Sequence, residues 1–246
     1  MPEFINHARK GKLSRTATED SLIQRTIEFI WQSLEPWRND PDRPHNNSEE
    51  EINASFHNFL QSRAQHDFSM VFFQHEQKQE GQRRVDLSAK PVDRTVIEGV
   101  TYTKYTPLIV IEGKRLPAPE KSRELEYVTG GAKTSGGIQR FKLGLHGKNH
   151  ERVIIIGYIQ QGNPHTWVMT INSWLAELSK SDPENWTKSE QLNNLEPTES
   201  GHSASSISYH PRAEGCRTQS IKIDHFWVDL CDNKHDITPA ITKMRI

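Results

Sequence analysis

Asp86, Glu112 and Lys114 are the residues of this chain whose types and spacing could do chemistry together. Glu112-Gly113-Lys114 closes the aliphatic run Leu108-Ile-Val-Ile111, which rises from a Pro/Thr turn. Four aliphatic, mostly β-branched residues there predict a short strand buried on both faces. Side chains alternate along a strand, so Glu112 and Lys114 leave the same face, roughly 7 Å apart. A carboxylate and an ammonium at the end of a buried strand are costly unless paired or used. Upstream, Arg83-Arg-Val-Asp-Leu87 puts Asp86 on the face opposite Val85 and Leu87 of a second strand. Carboxylates from two neighbouring strands could hold a hard divalent cation, and the lysine could orient or activate a water.

The flanking elements must carry these residues. Asp20 or Ser21 can cap a helix that ends before Pro36. Ser48 and Glu51 form a capping box for a helix over 48–60 whose stripe is Ile52, Phe56, Phe59 and Leu60. One turn back along that stripe lies Glu49, with Glu50 as the alternate. Strands are expected at 67–74, 83–89 and 108–112, with a polar hairpin turn at 76–81 and an inserted hairpin or loop at 96–105. Asp93 falls in a loop after Lys90-Pro91. The 120–127 stretch reads as a helical turn, 129–137 as a glycine-rich loop, and 137–144 as a helix. Arg152-Val-Ile-Ile-Ile-Gly-Tyr-Ile-Gln160 is the clearest buried strand, and 166–178 an amphipathic helix. Residues 182–215 are polar without hydrophobic period, and 219–230 reads as a last strand at a sheet edge. Residues 1–47 thus form an N-terminal arm and helix, 48–180 the core, and 181–246 a polar region with a C-terminal strand.

The spacing Asp86…Glu112-x-Lys114 resembles the PD-(D/E)xK, or restriction-endonuclease-like, nuclease superfamily over residues 48–175. The resemblance implies an α/β fold, with a central mixed sheet of four to five strands flanked by helices in α-β-β-β-α-β order. It implies metal ligation by Asp86, Glu112, a backbone carbonyl at Gly113 and Glu49, with Mg²⁺ as cofactor and Mn²⁺ as substitute. Asp86, Glu112, Lys114 and Gln139 would be catalytic. Gln139, on the helix after the Glu-x-Lys strand, would face the metal. Lys133, Arg140 and Arg115 would contact nucleic-acid phosphate. Position 143 is Leu where the RecB-like branch has Tyr, so no subfamily follows. DNA is the expected partner, with RNA still open. A restriction or phage-defence role would bring a regulatory subunit, and cutting both strands would favour a homodimer.

Net charge is −1, so nucleic-acid binding would rest on local clusters of Lys and Arg. The basic stretch His7, Arg9, Lys10, Lys12 and Arg15 is one such cluster, read as a loose arm. Hydrophobic residues are 33% and charged residues 26%, which predicts long solvated loops around one compact sheet. Cys216 and Cys231 have no metal-ligand spacing, which suggests a reducing, cytoplasmic setting. Neither a signal peptide nor a membrane span is expected. Thr129-Gly-Gly-Ala-Lys-Thr-Ser-Gly-Gly137 lacks the order of a nucleotide-binding P-loop. Ser205, His210 and Asp224 could suggest a hydrolytic triad, but no nucleophile elbow accompanies them. No aromatic sugar platform marks a glycosidase. The rival from another class is a non-catalytic binding protein whose acids and Lys114 are locked in salt bridges.

Overall fold

The structure, a computed structural model, describes residues 21–45, 48–79 and 83–231. The expected N-terminal arm, an Asp20 cap, part of the 76–81 turn and the tail from 232 lie outside those residues.

Helices α1 (Leu22–Arg38) and α2 (Glu49–Asp67) come first. Ser21 caps α1, its hydroxyl accepting from Gln24 N at 3.2 Å. The helix does not stop before Pro36. It runs on to Arg38, because the carbonyl of Gln32, deprived of its i+4 donor by the proline, accepts from Arg63 Nη1 at 2.8 Å. In α2, the Ser48 hydroxyl accepts from Glu51 N at 3.2 Å and donates to Glu51 Oε2 at 2.7 Å. Strands β1 (Val71–Lys78) and β2 (Arg84–Pro91) pair antiparallel, and a small hairpin, β3 (Thr95–Ile97) and β4 (Val100–Tyr102), is inserted before β5 (Ile109–Leu116). A 3₁₀ turn (Lys121–Tyr127), the short helix α3 (Gly137–Lys142), β6 (Arg152–Ile159) and α4 (Pro164–Ser181) follow. Strands β7 (Asn193–Pro197), β8 (Ser203–Pro211) and β9 (Ser220–Asp229) complete the order.

The result is an α/β architecture around a mixed seven-stranded sheet ordered β1-β2-β5-β6-β9-β8-β7. The β5–β6 and β6–β9 ladders are parallel and the others antiparallel. One face packs Ile109, Ile111, Ile154, Ile156 and Phe226 against α1 and α2. The other packs Val110, Val153, Ile155 and Ile223 against α3 and α4. Alternation along β5 therefore sends Glu112 and Lys114 to the α3 side and Gly113 to the α2 side.

Several expectations are corrected. The sheet has seven strands rather than four to five. The first strand begins at Val71, not Asp67, because α2 continues to Asp67 and Phe68 caps it while stacking on Phe29 at 5.1 Å. Strand β1 runs to Lys78, through half the stretch expected to turn, and β2 carries Lys90 and Pro91 beyond the expected Ala89 end. Strand β5, expected to end at Glu112, runs on to Leu116, since β6 pairs with it from Ile111 through Leu116. Strand β9 is interior, between β6 and β8, where it was expected at an edge. Its outer neighbour β8 escaped the hydropathy pattern because its polarity is inverted. Ala204, Ser206, Ser208 and His210 point inward, while Ile207 and Tyr209 are the more exposed.

Candidate active site

The β2–β5 ladder pairs Ala89 with Ile109, Ser88 with Val110 and Leu87 with Ile111, and goes no further. Just beyond it, Asp86 takes over the role of a backbone partner: its Oδ2 accepts from Gly113 N at 2.7 Å. Gly113 has no room for a side chain. A Cβ there would stand 2.0 Å from Asn53 Oδ1 and 2.8 Å from Tyr158 Cε2. Asn53, buried on α2, is itself held by the Tyr158 hydroxyl, which donates to its Oδ1 at 2.8 Å. The glycine of Glu-Gly-Lys is thus imposed by close packing of α2 on β5.

Glu49, the first residue of α2, reaches the same point. Its Oε1 accepts from Lys114 Nζ at 3.0 Å and its Oε2 from Arg115 N at 3.0 Å. Glu50, the alternate, is exposed. The Arg115 backbone, not its guanidinium, enters the site. The guanidinium donates to Gln160 Oε1 at 2.9 Å and to Pro117 O at 2.6 Å.

Glu112 is fully buried and has three cationic or hydrogen-bonding neighbours. His146 Nδ1 lies 2.5 Å from Oε1, Arg140 Nη1 3.4 Å from Oε2, and Lys114 Nζ 3.9 Å from Oε2. Desolvation pushes Glu112 up, but His146, Lys114 and Arg140 outweigh it and hold the carboxyl below its usual range. It is therefore ionised, and His146 Nδ1–H donates to it. Desolvation pulls the Lys114 ammonium down, yet Glu49, Glu112 and Asp86 keep it charged and raise it above its usual value. Asp86 goes the other way. Desolvation first, then repulsion from Glu112 and Glu49, pushes it up to about 8, against Lys114 and the Gly113 N–H.

His146 was not singled out as a site residue in the sequence. Its signal is the frame Gly144-Leu-His-Gly147, in which both glycines have positive φ, +66° and +60°. The first ends α3 and the second packs against Val110 and Val153, so the turn sends His146 back onto β5. Gln139 does not face Glu112 as expected. Its Oε1 accepts from Gly130 N at 2.9 Å and its Nε2 donates to Gly131 O at 3.0 Å, so it braces the glycine-rich loop. Lys133 is exposed on that loop.

The hydrolytic constellation is rearranged and sealed. Asp224 pairs with Arg152 and Lys222. His210 instead lies between Ser208 Oγ, 2.6 Å from Nε2, and Glu190 Oε2, 2.7 Å from Nδ1. Ser208 also accepts from His225 Nε2 at 2.7 Å, and His225 Nδ1 accepts from the Tyr127 hydroxyl at 2.8 Å. All four of Ser208, His210, Glu190 and His225 are inaccessible, so the row is a satisfied polar core with no route for substrate.

Among the described residues, no three His, Cys, Asp or Glu groups stand close enough to cage a metal by themselves. Likewise, no helix there is long and apolar enough to cross a membrane. Compared with protein-family models, curated proteins and solved structures, the chain matches none.

Proposed function

We propose that the protein is a divalent-cation-dependent nuclease with a restriction-endonuclease-like core, acting on DNA. One observation carries the reading: Asp86, Glu112, Lys114 and Glu49 come from β2, β5 and the start of α2 and meet around Gly113. The succession α2-β1-β2-β5-α3-β6, with β5 and β6 parallel, supports it.

The donor set suits a hard cation. Asp86, Glu112 and the Gly113 carbonyl offer oxygen only, and Mg²⁺ is commonly held by one or two carboxylates with substrate oxygens and waters completing its shell. An Asp86 carboxyl pushed up by burial and by repulsion from Glu112 and Glu49 is one that a cation would return to its ionised form. Bound Mg²⁺ or Mn²⁺ would polarise a phosphodiester oxygen and lower the pKa of a water. Within the chain, Lys114 would orient that water or offset charge growing on the phosphate. Glu49 aims the Lys114 ammonium, His146 fixes Glu112, and Arg140 stands beside Glu112 to meet a phosphate.

The second reading, a binding protein on the same fold, draws on the Glu49–Lys114 pair at 3.0 Å and the Glu112–His146 contact. Plasmid cleavage with Mg²⁺ or Mn²⁺, wild type beside Lys114→Ala and with EDTA, separates the two. Cutting that disappears in both controls supports the nuclease. Absence of cutting on plasmid, single-stranded DNA and RNA, with no calorimetric Mg²⁺ or Mn²⁺ binding, leaves the binding protein.

A further inference from the structure

The 3₁₀ turn, the 129–133 loop, α3, α4 and the 182–186 segment after it enclose a cleft of about 1030 Å³. That is the upper limit of small-ligand sites, which run roughly 300–1,000 Å³. Leu125, Leu143 and Leu178 form an apolar wall, with Leu143 40% exposed. Trp186 is not an open stacking platform, since Lys142 Nζ sits 4.2 Å from its ring centre. Most charges here are engaged within the chain. Arg123 pairs with Glu126 at 2.8 Å, Lys142 with Glu190, and Asp182 accepts from Asn185 at 2.9 Å. Lys133 is exposed and in no ion pair among the described residues. Beside it, Gly131 has φ +58° and nothing within 4 Å of where a Cβ would stand, so its backbone is open to close approach. Glu120 is an exposed acid at the rim, within electrostatic reach of Arg123.

The cleft and the candidate active site share the Arg123–Glu126 ion pair as a common wall. Arg123 and Glu126 line both the cleft and a smaller cavity of about 200 Å³ that contains Glu49, Lys114 and Tyr127. Resting on the nuclease reading, we propose that the cleft receives one unpaired nucleotide of the substrate strand. Its base lies against Leu125, Leu143 and Leu178, and its phosphate meets the Lys133 ammonium. An apolar wall with one available cation suits a base and a single phosphate. A tracked duplex backbone needs a row of cations, and here an acid at the rim opposes one. A base enters a concave site only out of its stack, so the substrate class is single strands, overhangs or unpaired positions.

The test is fluorescence anisotropy of a short labelled DNA single strand, against the same sequence as a blunt duplex, in EDTA so that no cutting occurs. Wild type should bind the single strand at least about tenfold tighter. Leu143→Asp, at an exposed position that should leave folding intact, should remove most of that preference. Lys133→Ala should lower the slope of log K against log salt by about 0.7, one phosphate contact for a single strand. Equal affinity for both forms, or variants that leave single-strand binding unchanged, would overturn the proposal even if plasmid is cut. Single-strand preference lost in Leu143→Asp would uphold the cleft even where no cutting occurs, and only the nuclease reading would then fail.

Discussion

His146 Nδ1 lies 2.5 Å from Glu112 Oε1, and both side chains are 1% exposed. The histidine is the donor that lets a carboxylate stay ionised inside the sheet. Ligating and near-ligating groups need such outer partners, whose loss typically costs 10–100-fold in metal affinity.

His146→Ala is therefore expected to destabilise the protein by about 3 kcal/mol, because it leaves a buried charge short of its partner. Calorimetric Mn²⁺ affinity should fall by at least about tenfold. His146→Gln, which can still donate to the carboxylate, should recover part of both. Unchanged melting and unchanged metal affinity in the alanine variant would remove His146 from the site.

Asp86 carries the opposite sign. Its folded pKa, about 8, lies above the ordinary carboxylate value of 3.8. Without cation, the folded state thus holds a proton that the unfolded state releases between those values. The associated stability is present at low pH and lost as pH rises toward 8. Asp86→Asn keeps an acceptor for Gly113 N and removes the titration. It should melt at or above the wild-type temperature at pH 8, show a flatter approach to that pH, and not cut DNA. A lower melting temperature at pH 8 would mean that Asp86 is a stabilising ion-pair partner.

Gly113→Ala should unfold or severely weaken the chain, by roughly 3 kcal/mol or more, through overpacking against α2. The nearest obstacles are Asn53 Oδ1 and Cγ, at 2.0 and 2.8 Å, with Tyr158 Cε2 also at 2.8 Å. Adding Asn53→Ala should rescue only part of the loss, because Tyr158 stays. Thermal melts of the single and double variants measure this directly, and a stable Gly113→Ala would refute the packing account.

Acid should destabilise the fold through histidines buried as neutral rings. Desolvation lowers His150 to about 4, and burial also lowers His210 and His225. His150 faces Arg212 and Arg217, which oppose a further positive charge. A base with a depressed folded pKa binds fewer protons folded than unfolded. Stability therefore falls as pH drops from 6.5 toward 4, by up to about 1.4 kcal/mol per unit for His150 alone. Glu112 and Glu190, held below their usual range, add to the loss at the acid end. Denaturant midpoints across that range check the sign. His150→Gln, which can still donate to the Pro107 carbonyl, should flatten the slope.

How much of this was legible depended on where the signal lay. The strands of Ile109–Ile111 and Arg152–Ile159 and the capped start of α2 were readable because each is a local pattern of propensity and capping. Strand β8 was not, since its buried positions are Ala204, Ser206, Ser208 and His210, and hydropathy does not register side chains that satisfy each other. Gln139 was misplaced because a six-residue helix gives too little periodicity to say which face meets β5.

The sequence by itself determined that Glu112 and Lys114 share a face, that Gly113 opposes them, and that Glu49 lies on the apolar stripe of its helix. Strand and helix periods are properties of the backbone, so those relations hold whatever the packing. Only the tertiary structure decided that Asp86 meets Gly113 N, that Glu49 and not Glu50 holds Lys114, and that a distant His146 closes on Glu112. Those contacts join residues separated by 27, 65 and 34 positions. Their geometry is set by how α2 and the α3 turn pack on the sheet, and no local pattern encodes it.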